Sequence, residues 1–160
     1  MTPLIQRGLL SVRQSVASDI QPIAQNMRLA DCNEIMASHN ILPEPALLAG
    51  LEFSTICLTV CVKDKPVAMC GVAAQHPTSN IGSVWLLATP DLERAWLCFG
   101  IFGKQVMAKF LEDYVTLYNY VDVRNKKSIH WLRSLGAKFE DPKPYGPGKL
   151  PFMYFTIERA

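Results

Sequence analysis

The segment from Tyr118 to Ala137 constrains the chain most, because it specifies a strand, a polar corner and a helix in immediate succession. Tyr118, Tyr120, Val121 and Val123 are β-formers. Asn125 can cap the next element, and Ile129, Trp131, Leu132 and Leu135 recur at helical spacing before Gly136 ends the turn. The local geometry is a strand that feeds a helix through an asparagine corner.

With 160 residues, 49% of them hydrophobic, the chain has enough apolar surface for one core, and residues 1–160 are expected to form a single domain. A formal net charge of +2, without a lysine- or arginine-rich tail, does not point to nucleic acid as a partner. No long apolar run predicts a membrane span, and Pro3 and Gln6 interrupt any leader-like start, so the expected place of synthesis and residence is a cytoplasm. Cys32, Cys57, Cys61, Cys70 and Cys98 are odd in number and contain no Cys-x-x-Cys pair; they read as small core residues and predict no metal.

The remaining pattern gives an order of elements. Leu9 to Val16 reads as the opening strand, and Ser18 or Asp19 as the cap of a helix carrying Ile20, Ile23, Ala24 and Met27, with Pro22 in its first turn. Asp31 with Glu34 reads as a capping box for a second helix, and Ala46 to Phe53 as a third. Thr55 to Val62 and Pro66 to Ala74 form a predicted hairpin across Lys63, Asp64 and Lys65. A strand over Val84 to Ala88 precedes one long helix over Asp91 to Tyr114, whose stripe is Phe99, Phe102, Val106, Met107, Phe110, Leu111 and Tyr114. A strand over Leu117 to Val123, a helix over Lys126 to Leu135, a short segment Lys138 to Glu140, a proline-rich loop and a closing strand Pro151 to Glu158 complete the order. The closing strand is expected to be an exposed edge, open to self-association into a homo-oligomer.

Asn125, Ser128, Ile129, Leu135 and Gly136 match a motif of the GCN5-related N-acetyltransferases, and the order of elements resembles that family from end to end. Val12-Arg13 leading to Ser18-Asp19-Ile20 is similar to its usual entry into the first helix. The resemblance implies an α/β (α+β) fold with a mixed, mostly antiparallel sheet of six to seven strands and about four helices. It also implies acetyl-coenzyme A between two splayed central strands. At the position where the family carries its acid tyrosine this chain has Leu132, which cannot protonate a leaving thiolate, and Ala137 replaces the family's phenylalanine.

The family's glycine-rich cradle for pyrophosphate is absent as well. Asp91-Leu-Glu-Arg-Ala-Trp96 stands there, with two carboxylates near an anion site, while Gly100 and Gly103 lie deeper in the helix and read as packing residues. The positions that the resemblance leaves for the cofactor are Arg94, Ala95, Asn125 and Ser128, and Asn125 is the one candidate beside the reacting atoms. Arg124, Lys126 and Lys127 add positive charge at the corner. Val84 to Ala88 supplies no ionisable base. His130 is expected to point away from the cleft, His39 and His76 to lie in loops, and Trp85, Trp96 and Trp131 to be core residues.

The span Thr116 to Asn125, then Ile129 to Ala137 and Phe155-Thr-Ile157, resembles the internal virion protein A family of short-tailed phages of the T-seven type, strongly over the last third and loosely before it. That resemblance implies a phage-encoded protein of the virion or of its assembly, present in the host cytoplasm, with other virion proteins as partners. Two readings are open. In one, the fold is a binding module with a degenerate site and no cofactor, the run Trp96 to Phe102 filling the cleft or meeting a partner. In the other, the chain is an acetyl-coenzyme A-dependent N-acetyltransferase for a small amine or a protein amine, working by positioning and backbone hydrogen bonds.

Overall fold

The computed structural model describes residues 2–160, the side chains of residues 96–99 excepted. Strands β1 (Ile5–Arg7) and β2 (Leu10–Gln14) form a hairpin that turns at Gly8, whose φ of 60° suits glycine. A 3-10 turn at Ala17–Asp19 then leads into helices α1 (Ile20–Gln25), α2 (Leu29–His39) and α3 (Pro43–Phe53). Strands β3 (Ile56–Val62), β4 (Lys65–Ala74) and β5 (Ile81–Ala88) come next, then α4 (Pro90–Arg94) and α5 (Trp96–Asp113). β6 (Thr116–Asp122), α6 (Lys126–Ser134), β7 (Lys138–Phe139), β8 (Lys143–Tyr145) and β9 (Leu150–Glu158) end the chain.

All nine strands belong to one sheet in the order β1-β2-β3-β4-β5-β6-β9, with β7 and β8 on the far side of β9. Every pairing is antiparallel except β5 with β6. The mixed, mostly antiparallel architecture agrees with expectation, with more strands and helices than anticipated. β1, β7 and β8 are two or three residues long, too short to show alternation in a sequence.

Alternation along the strands divides the core between the two faces. Leu58, Cys70, Val72, Val84, Ala88, Leu117 and Val121 pack with Phe102, Val106, Phe110, Ile129 and Leu132 of α5 and α6. On the opposite face Met69 and Leu87 meet Ile20, Ile23 and Leu47 of α1 and α3. The hairpin β3–β4 turns on two residues, Lys63 and Asp64, both at positive φ (49° and 64°), as a tight primed turn requires; Lys65 already belongs to the strand.

Four expectations need correction. The long helix is broken at Ala95, where φ −96° and ψ 15° end α4 after one turn. Asp31 does not cap α2, which begins two residues earlier at Leu29 and ends with His39 inside the helix. Glu34 takes no part in a capping box; its carboxylate bonds Asn125 instead. The closing strand is not an open edge, because β6 pairs along one side and β7 and β8 cover parts of the other. Of the run Trp96 to Phe102, Phe102 is fully buried in the core and Ile101 is exposed; the side chains of residues 96–99 lie outside those described.

Close approach of the backbone to an aromatic ring fixes one core position. A methyl group on Gly71 would stand 2.7 Å from the Trp85 indole nitrogen, 2.8 Å from Ser54 Oγ and 2.9 Å from the Ile56 carbonyl. Gly71→Ala should therefore lower stability by about 1–3 kcal/mol through overpacking, read as a lower denaturant midpoint at unchanged slope.

Candidate functional site

Strands β5 and β6 pair in parallel for only three residues, Ile81 to Ser83 with Thr116 to Tyr118, and then diverge. Divergence strips backbone groups of their ladder partners, and buried groups of that kind demand replacements. Side chains and one main-chain amide supply them. Asn119 Nδ2 donates to the Val84 carbonyl at 2.6 Å, while Asn119 Oδ1 accepts from the Tyr120 amide at 2.7 Å. Asp31 Oδ2 accepts from the Ala88 amide at 2.9 Å, and the Ala88 carbonyl accepts from the Arg28 amide at 2.8 Å. Across the gap, Glu34 Oε2 accepts from the Asp122 amide at 3.3 Å.

The divergence leaves a cavity of about 310 Å³ that runs between the two faces of the sheet. Glu34, Trp85, Tyr120, Tyr145, Leu132 and His39 are among its walls. Tyr145 of β8 stacks on Tyr120 with ring centroids 4.2 Å apart, and the Trp85 indole donates to Ser54 Oγ at 2.8 Å, so the aromatic walls are fixed in place. Glu34 Oε2 also accepts from Asn125 Nδ2 at 2.9 Å. Among the described residues, no hydrogen bond reaches its Oε1 and no salt bridge is made to it, although the Arg124 guanidinium lies near enough to feel its charge. Burial, helped by the nearby Asp31 and Asp122 carboxylates, raises the Glu34 carboxyl from 4.5 to about 7 despite the Asn125 bond.

An ionic chain closes the end of the divergence. Arg28, 4% exposed, grips Asp31 through two hydrogen bonds of 2.7 and 3.1 Å. It also reaches Glu93 at 3.3 Å and Ser128 Oγ at 3.3 Å. Glu93 in turn accepts from Lys127 Nζ at 2.9 Å. Burial acts against the charge on Glu93, but Lys127 and Arg28 together hold its carboxyl below the ordinary range. The start of α2, the single turn of α4 and the first turn of α6 are thereby tied together.

Of the residues selected from the sequence, Asn125, Ser128 and Leu132 come together here. Asn125 caps α6, its Oδ1 accepting weakly from the Ser128 amide at 3.4 Å, and Leu132 is a buried wall of the cavity. Arg94 and Ala95 stand apart from this group. Arg94 is exposed and paired with Asp91 at 2.9 Å, and the Ala95 amide is consumed by the Leu92 carbonyl. Arg124 is bound to Asp122, and His130 is exposed outside the main cavity, near Glu93, Lys126 and Lys127. Gly103 packs its backbone on Trp131, while a side chain at Gly100 would meet nothing. Glu34, Asp31 and Arg28 were not legible as site residues. Their one signal is spacing: residues 28, 31 and 34 put three charges on a single helical stripe beside Ile35, polar where a core-facing stripe is ordinarily apolar. Among the described residues, no cluster of three or more His, Cys, Asp or Glu could hold a metal ion, and no helix is long and apolar enough to cross a membrane.

Comparison with known proteins places this geometry. A family model described as bacteriophage T7, probable scaffold protein Gp13, matches residues 78–142. The probable scaffold protein gp13 of Escherichia phage T7 is 32% identical over 134 residues, covering 78% of this chain and 87% of the relative. Among solved structures, the ribosomal-protein-S5-alanine acetyltransferase of Vibrio fischeri has a TM-score of 0.69 at 16% identity, over 96% of this chain and 95% of its own. A spermidine N-acetyltransferase of Vibrio cholerae, solved with CoA and spermine, has a TM-score of 0.68 at 13% identity, over 94% and 95%. The structural likenesses establish the GCN5-related N-acetyltransferase fold.

Glu34 makes stability depend on pH. Its folded carboxyl, at about 7, holds a proton that the unfolded chain releases near 4.5. Its contribution is therefore fully present below 4.5 and is lost as pH rises through 7, a fall of about 3 kcal/mol at most. Denaturant titrations of Glu34→Gln should lack this fall between those pH values, and an unchanged slope would refute the assignment.

Proposed function

Since this chain belongs to the family of the phage T7 probable scaffold protein gp13, we propose that it serves phage assembly as a binding module built on an acetyltransferase fold, acting as one domain over residues 1–160. The observation that carries this reading is the ionic chain from Arg28 through Glu93 to Lys127. In an acetyltransferase of this fold the pyrophosphate of the cofactor needs open amides and uncommitted cations before the long helix. Here a carboxylate takes the cations, and the amides of Leu92 and Ala95 are spent on the carbonyls of Thr89 and Leu92. A diphosphate would have to displace Glu93 and leave the buried Arg28 to be shared, so the described residues do not fit the group.

The wall at Leu132 supports the same conclusion. A leucine there packs with Ile129 and Trp131 against α5 and offers no proton to a leaving thiolate. Loss of an acid alone lowers a rate by about 10²–10⁴-fold, which leaves some activity; the loss of the anion cradle with it removes the means of holding the donor. The partners are then other proteins of the assembling virion, met in the infected host cell.

Two measurements test this. Thermal unfolding with millimolar acetyl-coenzyme A should show no shift, whereas a ligand at 100 times its dissociation constant would add about 2.7 kcal/mol. A saturable shift, or acetyl transfer to any amine, would overturn the pseudoenzyme reading. A phage lacking this chain should accumulate incomplete particles, restored by supplying the protein, and a normal particle yield would overturn the assembly role.

A further inference from the structure

We propose that the tyrosine-bearing sheet face of β6, β9 and β7 docks on the same face of a second copy of this chain, about a two-fold axis. The proposal is independent of what the cavity between β5 and β6 holds. Residues paired across a ladder share a face, so the register places the side chains. Tyr118 pairs with Ser83, which alternates to the side of Trp85 and Leu87, and Tyr120 and Tyr154 follow on that same side. The apolar cluster that α1 and α3 make there reaches Trp85 and Leu87 of β5, while Tyr118, Tyr154 and Thr156 are half-buried and belong to neither core cluster. On the opposite side their neighbours Leu117, Phe155 and Ile157 are buried in the main core. The face is aromatic and ordered, with Tyr154 ring centroids 5.9 Å from Tyr118 and 5.2 Å from Tyr120. Tyrosine gives large contact area at little cost in rotamer freedom, which is why interfaces are enriched in it.

The order of charges along the outer margin identifies the occupant. Glu158 ends β9, Lys138 pairs with Thr156, the Glu140 amide donates to the Tyr154 carbonyl at 2.9 Å, and Lys143 pairs with Phe152. Read along β9, four exposed side chains therefore follow one another at two-residue steps with signs negative, positive, negative and positive. Such a series is its own complement when turned end for end. A two-fold axis crossing the strands between Thr156 and Tyr154 sets Lys138 against Glu140 of the second copy, Glu158 against its Lys143, and Tyr118 against its Tyr120. Within one copy Glu140 and Lys143 are 4.0 Å apart, with side chains 57% and 76% exposed, a contact loose enough to exchange. Nucleic acid would ask for one sign of charge along this margin, and a permanent dimer for a broader apolar area, so the fit is to a reversible dimer.

Sedimentation equilibrium of the full chain from about 1 µM to about 1 mM should show a monomer and a dimer in exchange, with dimerisation weakening as salt rises. Lys138→Glu alone, or Glu140→Lys alone, sets like charges together twice across the axis and should weaken dimerisation about tenfold or more. The chain carrying both changes should dimerise as wild type does. An equimolar mixture of the two single variants should form a mixed dimer, because opposite signs meet again, and its appearance shows that both variants are folded. Wild type that stays monomeric throughout leaves the face to some other occupant and overturns the proposal. So does a dimer that the single variants leave unchanged, or one that neither the double variant nor the mixture restores.

Discussion

Two central strands that begin as partners and then part company set the terms for everything else in this molecule. Past the third pair of the β5–β6 ladder, every second residue brings backbone groups into the gap without a strand to meet them. The buried Asp31 and the half-buried Asn119 and Glu34 answer those groups. A mostly apolar sandwich thus acquires a polar seam, and the seam arises from topology before any question of function.

Once carboxylates are in the interior they have to be neutralised, and the chain does so unevenly. Asp31 receives a two-pronged guanidinium, Asp122 is tied to the neighbouring Arg124, and Glu93 is held between two cations. The fold shared with acetyltransferases supplies the gap between strands, and the charges within it come from a few side chains. At one end of the gap Glu93 is held in ion pairs with Arg28 and Lys127, and along its wall Glu34 is held by Asn125. A shared architecture does not dictate the chemistry, because the scaffold is fixed by the sheet, while the site depends on a few side chains where the strands part.

Much of the scaffold was legible from local patterns. The hairpin at Lys63 and Asp64, the asparagine corner at Asn125 and the stripe from Phe102 to Tyr114 each declare themselves within a few residues of sequence. The features that escaped are long-range. Glu34 is followed by Ile35 and preceded by Asp31 in the spacing of a capping box, yet its real partner Asn125 is 91 positions away. The break at Ala95 was equally hidden, because apolar periodicity continues through it and only the backbone angles reveal it. Strand β8 lies in a proline-rich stretch that reads as loop, and its proline is tolerated because Pro144 sits opposite Pro151 on a short strand at the outer side of β9.

The ionic chain at the end of the divergence is graded in exposure from one end to the other. The side chain of Arg28 is 4% exposed, that of Glu93 30% and that of Lys127 65%. Mobile counter-ions screen only the charges they can approach. Rising salt concentration would therefore weaken the grip on the first turn of α6 and spare the clasp on α2, so the seam loosens from the outside while its inner half stays shut.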